Sequence, residues 1–269
     1  LKQYAPRLLD KVTHKAAGIN DLILGRAELP MPENVTEKNM RQIRAASKLI
    51  RRKQRQYETQ NLQFAEMRED AGLKEYLDRT TFINKDGEVC EFTDLQKHDL
   101  NLVLQKRYAL LNWQQGSGKT AAVYHRAKYL LKFRKAKNVI ILAPAIATNM
   151  TWIPFLTINK ERFRTIQTAG DLNNIPEGTF LVVSTSMLRK LKRGLMRFVK
   201  RTSGKLCLVF DESDEITNPT SQRTRNILCI FRRLRYKILD TGTTTRNNIA
   251  ELYSQFELLY NNSVNMICW

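Results

Sequence analysis

Residues 114–120 read Gln-Gln-Gly-Ser-Gly-Lys-Thr and follow the apolar run Tyr108-Ala-Leu-Leu-Asn-Trp113. A strand tail, a glycine turn, a lysine, a hydroxyl and then a helical stretch from Ala121 to Phe133 constrain the fold more than any other feature of the chain. A nucleotide phosphate chain needs this order. Gly116 and Gly118 let the backbone amides of Gln115 and Ser117 close on phosphate oxygens, and the helix N-terminus adds partial positive charge. Lys119 would reach the β- and γ-phosphates, and the Thr120 hydroxyl would ligate Mg²⁺. The full P-loop spacing asks for glycine where Trp113 stands, so a plain glycine turn is the competing reading.

A second signal points the same way. Lys205-Leu-Cys-Leu-Val-Phe210 has the apolar character of a buried parallel strand and ends in Asp211-Glu212. Adjacent carboxylates at a strand's carboxyl end sit where a P-loop enzyme needs them. Asp211 would hold the metal, and Glu212 would orient and deprotonate an attacking water. Alone, Asp-Glu after a strand is the solvated start of a loop; after a P-loop, within strand–helix alternation, it reads as a metal-binding strand.

The 269 residues suffice for one substantial core and an appendage. Charge is lopsided: 45 Lys and Arg against 26 Asp and Glu, a net +19. Residues 126–205 alone hold 17 Lys and Arg and only Glu161, Asp171 and Glu177 as acids. A polyanion is the partner this implies, nucleic acid before an acidic protein surface. Cys90, Cys207, Cys229 and Cys268 lack paired metal spacing and read as reduced structural thiols, and the three histidines are scattered. No apolar run approaches the ~20 residues of a membrane span, and no signal peptide is evident, so an intracellular or virus-carried protein is expected. A first residue of Leu rather than Met suggests a fragment.

Residues 1–78 read as a helical arm. Glu37 to Leu77 is rich in Arg, Lys, Gln, Glu and Ala, with Asn34-Val-Thr-Glu37 as a capping start. Residues 79–94 read as a β-hairpin around Asp86-Gly87, and 95–269 as an α/β domain. Strands are expected at Tyr108–Trp113, Asn138–Ala143, Thr179–Ser184, Leu206–Phe210 and Tyr236–Leu239, in a doubly wound, mainly parallel sheet with ligands at the strand ends.

A third signal resembles a family. Leu239-Asp-Thr-Gly-Thr-Thr-Thr-Arg-Asn-Asn-Ile-Ala-Glu-Leu-Tyr253 looks like the third helicase motif of Swi/Snf-type superfamily 2 ATPases, Leu-Thr-Gly-Thr-Pro-x-Gln-Asn before a Glu-Leu-Trp helix. Asp211-Glu-Ser-Asp-Glu-Ile-Thr-Asn218 resembles their Asp-Glu-Ala-His segment. Asn138–Pro144 with Trp152, and Leu181–Leu188, match the motifs between. The resemblance runs from about Leu95 to Leu259 in family order and implies a RecA-like P-loop domain, the first lobe of a motor that tracks double-stranded DNA using ATP and Mg²⁺. It implies that Gln96 reads adenine and that strand ends near Pro144 and Thr185 touch one nucleic-acid backbone. It also implies that Asp214, Thr241, Gly242 and Thr243 couple the metal site to movement.

Departures accompany it. Asp214 stands for histidine, Thr244 for proline and Arg246 for glutamine. The second RecA-like lobe that supplies an arginine finger is expected in a longer chain or a partner. The basic stretch Leu188–Arg201 carries apolar residues at helical spacing. Either its bases face water, or Arg189, Lys190, Arg193 and Lys200 line a phosphate track. A degenerate nucleotide-binding scaffold, or a structural component of a larger nucleoprotein particle, is the alternative to a motor.

Overall fold

Parallel strands covered on both faces should be apolar at successive positions, and the central strands obey. All six residues of Asn138–Ala143 and all five of Leu206–Phe210 are buried. The computed structural model describes residues 67–202, 205–243 and 249–260, with 36–37, 40–41, 43–45, 47–48 and 51.

Helix α1 (Ala71–Asp78) leads to strands β1 (Thr81–Ile83) and β2 (Val89–Glu91), an antiparallel pair turning at Gly87, whose φ is 84°. There follow α2 (Asp94–Leu104), β3 (Tyr108–Asn112), α3 (Lys119–Lys132) and β4 (Asn138–Ala143). Short helical turns over 145–152 precede α4 (Ile153–Ile158), then β5 (Phe163–Thr165) and β6 (Phe180–Ser184). The chain continues through α5 (Leu188–Arg201), β7 (Leu206–Phe210), α6 (Gln222–Phe231), β8 (Tyr236–Thr241) and α7 (Tyr253–Leu259). The six-stranded sheet is wholly parallel, in the order β3-β8-β7-β4-β6-β5.

Alternate residues of each strand serve two cores. Val139 and Ile141 pack with Val209, Ile238 and the apolar side of α3; Ile140 and Leu142 pack with Leu191, Leu195 and Phe198 of α5. Two cations are buried among them. Arg126 of α3 is fully buried and donates to the carbonyls of Lys106 and Arg107, 2.7 and 2.9 Å away. Lys237 donates to the carbonyls of Arg232 and Leu258, and burial lowers its pKa to about 7.

The five expected strands are present, and β8 runs two residues further, to Thr241. The three-residue β5 went unread because Phe163-Arg-Thr165 is too short to show a period. The chain divides into two compact units, one of Leu1–Met67 with Asn262–Trp269 and one of Arg68–Asn261. In the first, the described residues between Glu37 and Arg51 are helical; Asn34 and most of the expected arm lie outside the described residues. The last helix of that arm, α1, belongs to the second unit, as does the hairpin.

Candidate functional site

The carboxyl ends of β3, β7 and β8 lie side by side because β8 sits between the other two. Sequence segments about 90 and 120 residues apart therefore meet at one edge. After β3 the loop turns on Gly116 and Gly118, whose φ values of 82° and 80° are left-handed and favour glycine. Gly118 is the N-cap of α3, so the first amides of that helix point out of the sheet edge. Lys119 Nζ donates to the carbonyls of Trp113 and Gln114, 3.1 and 3.2 Å away, which holds the ammonium over the loop. Gln96 binds the same loop. Its amide donates to the Ser117 carbonyl at 2.9 Å, while its oxygen accepts from the Thr93 amide and closes the capping box of α2.

Asp211 ends β7 and is buried. Its Oδ2 accepts from the Trp152 indole Nε1–H at 2.7 Å, entirely inside the protein. Burial raises the Asp211 pKa; the Trp152 hydrogen bond and the Lys119 charge oppose the rise. Glu212 is half-buried, and burial followed by the Asp211 and Asp214 charges pushes it above the usual carboxylate range. Its φ and ψ of 53° and 54° place a non-glycine residue in left-handed backbone, a strain of the kind that surrounding structure must enforce.

Asp240, within β8, is fully buried, and neither oxygen meets a hydrogen-bond donor. Burial, then the Asp211 charge, raises its pKa well above the carboxylate norm. The sequence signal for this residue is an acid directly after the strand residues Tyr236-Lys-Ile-Leu239.

The third motif touches both others. A Cβ on Gly242 would stand 3.5 Å from Lys119 Nζ, in ordinary van der Waals contact, so the loop after β8 lies directly against the lysine. Thr241 Oγ1 accepts from the Thr243 amide at 3.1 Å. The Thr243 hydroxyl lies 3.5 Å from Asp214 Oδ2, so an acid-to-hydroxyl contact joins the segment after β7 to the segment after β8. Ser213 continues the link, donating to Gln255 of α7 at 3.2 Å. Thr244 and Arg246 lie outside the described residues.

The donor set suits a divalent cation held with phosphates. The carboxyl groups of Asp211 and Glu212 stand near the single ammonium of Lys119, and Thr120 offers a hydroxyl one residue into α3. Among the described residues no group of three or more His, Cys, Asp or Glu could hold a metal alone. That accords with Mg²⁺, which is commonly bound through one or two carboxylates plus substrate phosphates.

The nucleic-acid candidates divide. Pro144 is half-buried after β4, next to the exposed Ala145 and Ile146. Thr185 is 4% exposed, and the hydroxyls beside it are those of Ser184 and Ser186, which hydrogen-bond each other at 2.8 Å. Arg189, Lys190 and Arg193 are exposed on the first two turns of α5, at the carboxyl edge. Lys200 is exposed too, but about 16 Å further along that helix at 1.5 Å per residue, towards the opposite edge. The apolar residues Leu188, Leu191, Leu195 and Phe198 are all buried.

Residues 41–246 match the family model described as type III restriction enzyme, res subunit. The chain is 27% identical over 175 residues to a Saccharomyces cerevisiae protein named ATP-dependent helicase FUN30, covering 61% of this chain and 15% of that one. A Sulfolobus solfataricus SWI2/SNF2 ATPase core, solved in complex with dsDNA, superposes with a TM-score of 0.54 at 17% identity, over 64% of this chain and 36% of that one. The chain thus spans well under half the length of either. The shared fold is that of a RecA-like helicase lobe. The chain belongs to the type III restriction enzyme res-subunit family.

Proposed function

We propose, with that membership as premise, that the chain is the ATP-binding first lobe of a superfamily 2 motor that moves along nucleic acid, duplex DNA foremost. The observation that carries this reading is the convergence of Lys119, Asp211 and Gly242 at one sheet edge from three separate motifs. A glycine turn or a loop-start Asp-Glu gives no reason for that meeting.

Mg²⁺-bound ATP supplies an electrophilic γ-phosphoryl group and neutralises part of its charge. The chain's residues bind and orient it. Amides around Gly116 and Gly118 and the start of α3 face the phosphates, with Lys119 adding a point charge. Thr120 and Asp211 would hold Mg²⁺, and Trp152 donates to Asp211 and fixes its rotamer. Glu212 accepts the proton of the attacking water. Its raised pKa suits that role, because a base works best when its affinity for protons approaches the operating pH. Gln96 lies against the loop where adenine would approach. Thr243 and Asp214 pass the state of the metal site to the segment after β8.

Nucleic acid would lie across the carboxyl ends of β4 and β6, with Pro144, Ser186, Arg189, Lys190 and Arg193 on one phosphate track. Such contacts position without reading sequence. A second RecA-like lobe, in the same longer chain or a partner, would supply an arginine finger, worth about 10³–10⁵ in rate in well-studied cases. The scaffold alternative is favoured only by the departures at Asp214 and Thr244.

The test is turnover in the full-length protein with duplex DNA. Glu212→Gln is expected to keep nucleotide binding and lose DNA-stimulated ATP hydrolysis by about 10²–10⁴. A parent protein that binds nucleotide yet shows no hydrolysis with any nucleic acid would leave the scaffold reading standing.

A further inference from the structure

In a wholly parallel sheet every strand starts at one edge, opposite the edge described above. That amino edge is strongly basic. Among the connections that lead into the strands, β3 is preceded by Arg107, β8 by Arg233 and Arg235, β7 by Lys205, and β4 by Arg134 and Lys135, all exposed. These are consecutive strands of the sheet. Backbone hydrogen bonds fix the alignment of their entrances: the Lys237 amide donates to the Arg107 carbonyl at 2.9 Å, and the Lys137 amide to the Lys205 carbonyl at 2.7 Å. Neighbouring strands lie about 4.8 Å apart, so the strip spans roughly 14 Å.

Among the described residues few acids answer it. Glu177, before β6, pairs with Lys137 and also feels the Lys205 and Arg134 charges; Glu161, before β5, is tied to Tyr124 and Lys128; and the buried Glu257 faces Arg232. Bases in a helix's last turn answer its partial negative charge, which accounts for Lys132, Lys200 and Arg201. The six bases named above lie beyond those turns, in the connections.

We infer that the amino edge of the sheet is a second nucleic-acid-binding surface, which takes the phosphate backbone of a separate duplex segment. A duplex carries one charge per ~1.7 Å of axis, so 14 Å presents about four phosphates of each strand to a strip of six bases. Four of the six are arginines, whose planar fork matches phosphate oxygens. An acidic protein partner fits less well, because protein interfaces centre on aromatic and apolar anchors with lysine depleted. Among the described residues the large exposed apolar side chain at this edge is Phe133, and it packs on Tyr76 and Tyr129. The two edges stand apart by the length of a strand, about 20 Å for six residues. A protein using both would hold two segments at once. With the functional reading above, this inference shares only the choice of nucleic acid as partner.

The test measures duplex binding by the full chain against salt, and capture of a labelled duplex by protein bound to duplex-coated beads. The quadruple variant Arg107→Gln, Lys135→Gln, Lys205→Gln, Arg235→Gln is expected to flatten the dependence of log K on log salt by up to about 3.6, at ~0.9 per contact, and to lose capture. The charge-preserving set Arg107→Lys, Lys135→Arg, Lys205→Arg, Arg235→Lys should behave as the parent, which separates charge from folding. If the glutamine set loses duplex binding altogether, the amino edge stands and the carboxyl-edge track falls. An unchanged slope with capture intact overturns the inference. So does a parent that captures no second duplex but binds polyglutamate through these four residues.

Discussion

The two edges of the sheet share strands and helices yet differ in how their polar groups are used. At the carboxyl edge charged groups are inward and interlocked: Asp211 on Trp152, Asp240 beside Asp211, Lys119 folded over its loop, Thr243 against Asp214. At the amino edge the bases stand outward, with backbone contacts aligning the connections rather than the side chains. Interlocked groups perform chemistry because each one's geometry is set by the next; outward charges attract a polyanion with little geometric demand. Damage at the first edge should therefore appear as lost turnover, and changes near the second as altered salt dependence or stability.

Trp152→Phe sharpens that contrast most. Phenylalanine retains a ring in the core and removes the indole N–H that holds Asp211 Oδ2. Hydrogen bonds to charged groups contribute about 1.5–3 kcal/mol, so hydrolysis should fall roughly 10- to 100-fold and demand more Mg²⁺, while nucleotide affinity without Mg²⁺ stays put. A Mg²⁺ titration of hydrolysis checks this. Equal loss of nucleotide binding with and without Mg²⁺ would reduce Trp152 to a packing residue.

A smaller effect belongs to the other side of α3. His125 is buried among Phe82, Phe92 and Tyr124, with neither ring nitrogen hydrogen-bonded, and burial lowers its pKa to about 3 from 6.5. The unfolded chain takes up this proton near pH 6.5 and the folded chain does not. Stability is thus lost as pH falls from 6.5 towards 3, at up to about 1.4 kcal/mol per pH unit. His125→Phe should remove about 2 kcal/mol of the loss between pH 7.5 and 5, read as urea midpoints, and leave nucleotide binding unchanged. Parallel pH profiles of variant and parent would contradict it.

Motifs made of consecutive residues were legible in the sequence, as were strands long enough to be apolar on both faces. Gly116–Thr120, Asp211-Glu212 and the five main strands are of that kind. What escaped was set by tertiary approach. Trp152 reaches Asp211 across 59 residues, and nothing local in Met150-Thr-Trp152 specifies a polar partner. The resemblance implies a nucleic-acid contact near Thr185, and the 3₁₀ turn over Thr185–Met187 buries that residue and leaves Ser186 exposed. Lys200 shares a stripe of bases with Arg189 in the sequence, but the length of α5 carries it towards the other edge. The basic amino edge was visible only as excess charge between residues 126 and 205, since the connections before β3 and β8 join it through the sheet order.

The central claim is that Lys119 and the loop before it hold the phosphates of a nucleotide. Titration of a fluorescent ATP analogue into the parent and Lys119→Ala, with Mg²⁺ present, tests it most directly. The account expects saturable binding by the parent and none by the variant at the same concentrations, with both proteins equally folded by circular dichroism. Equal affinity in the two would contradict it.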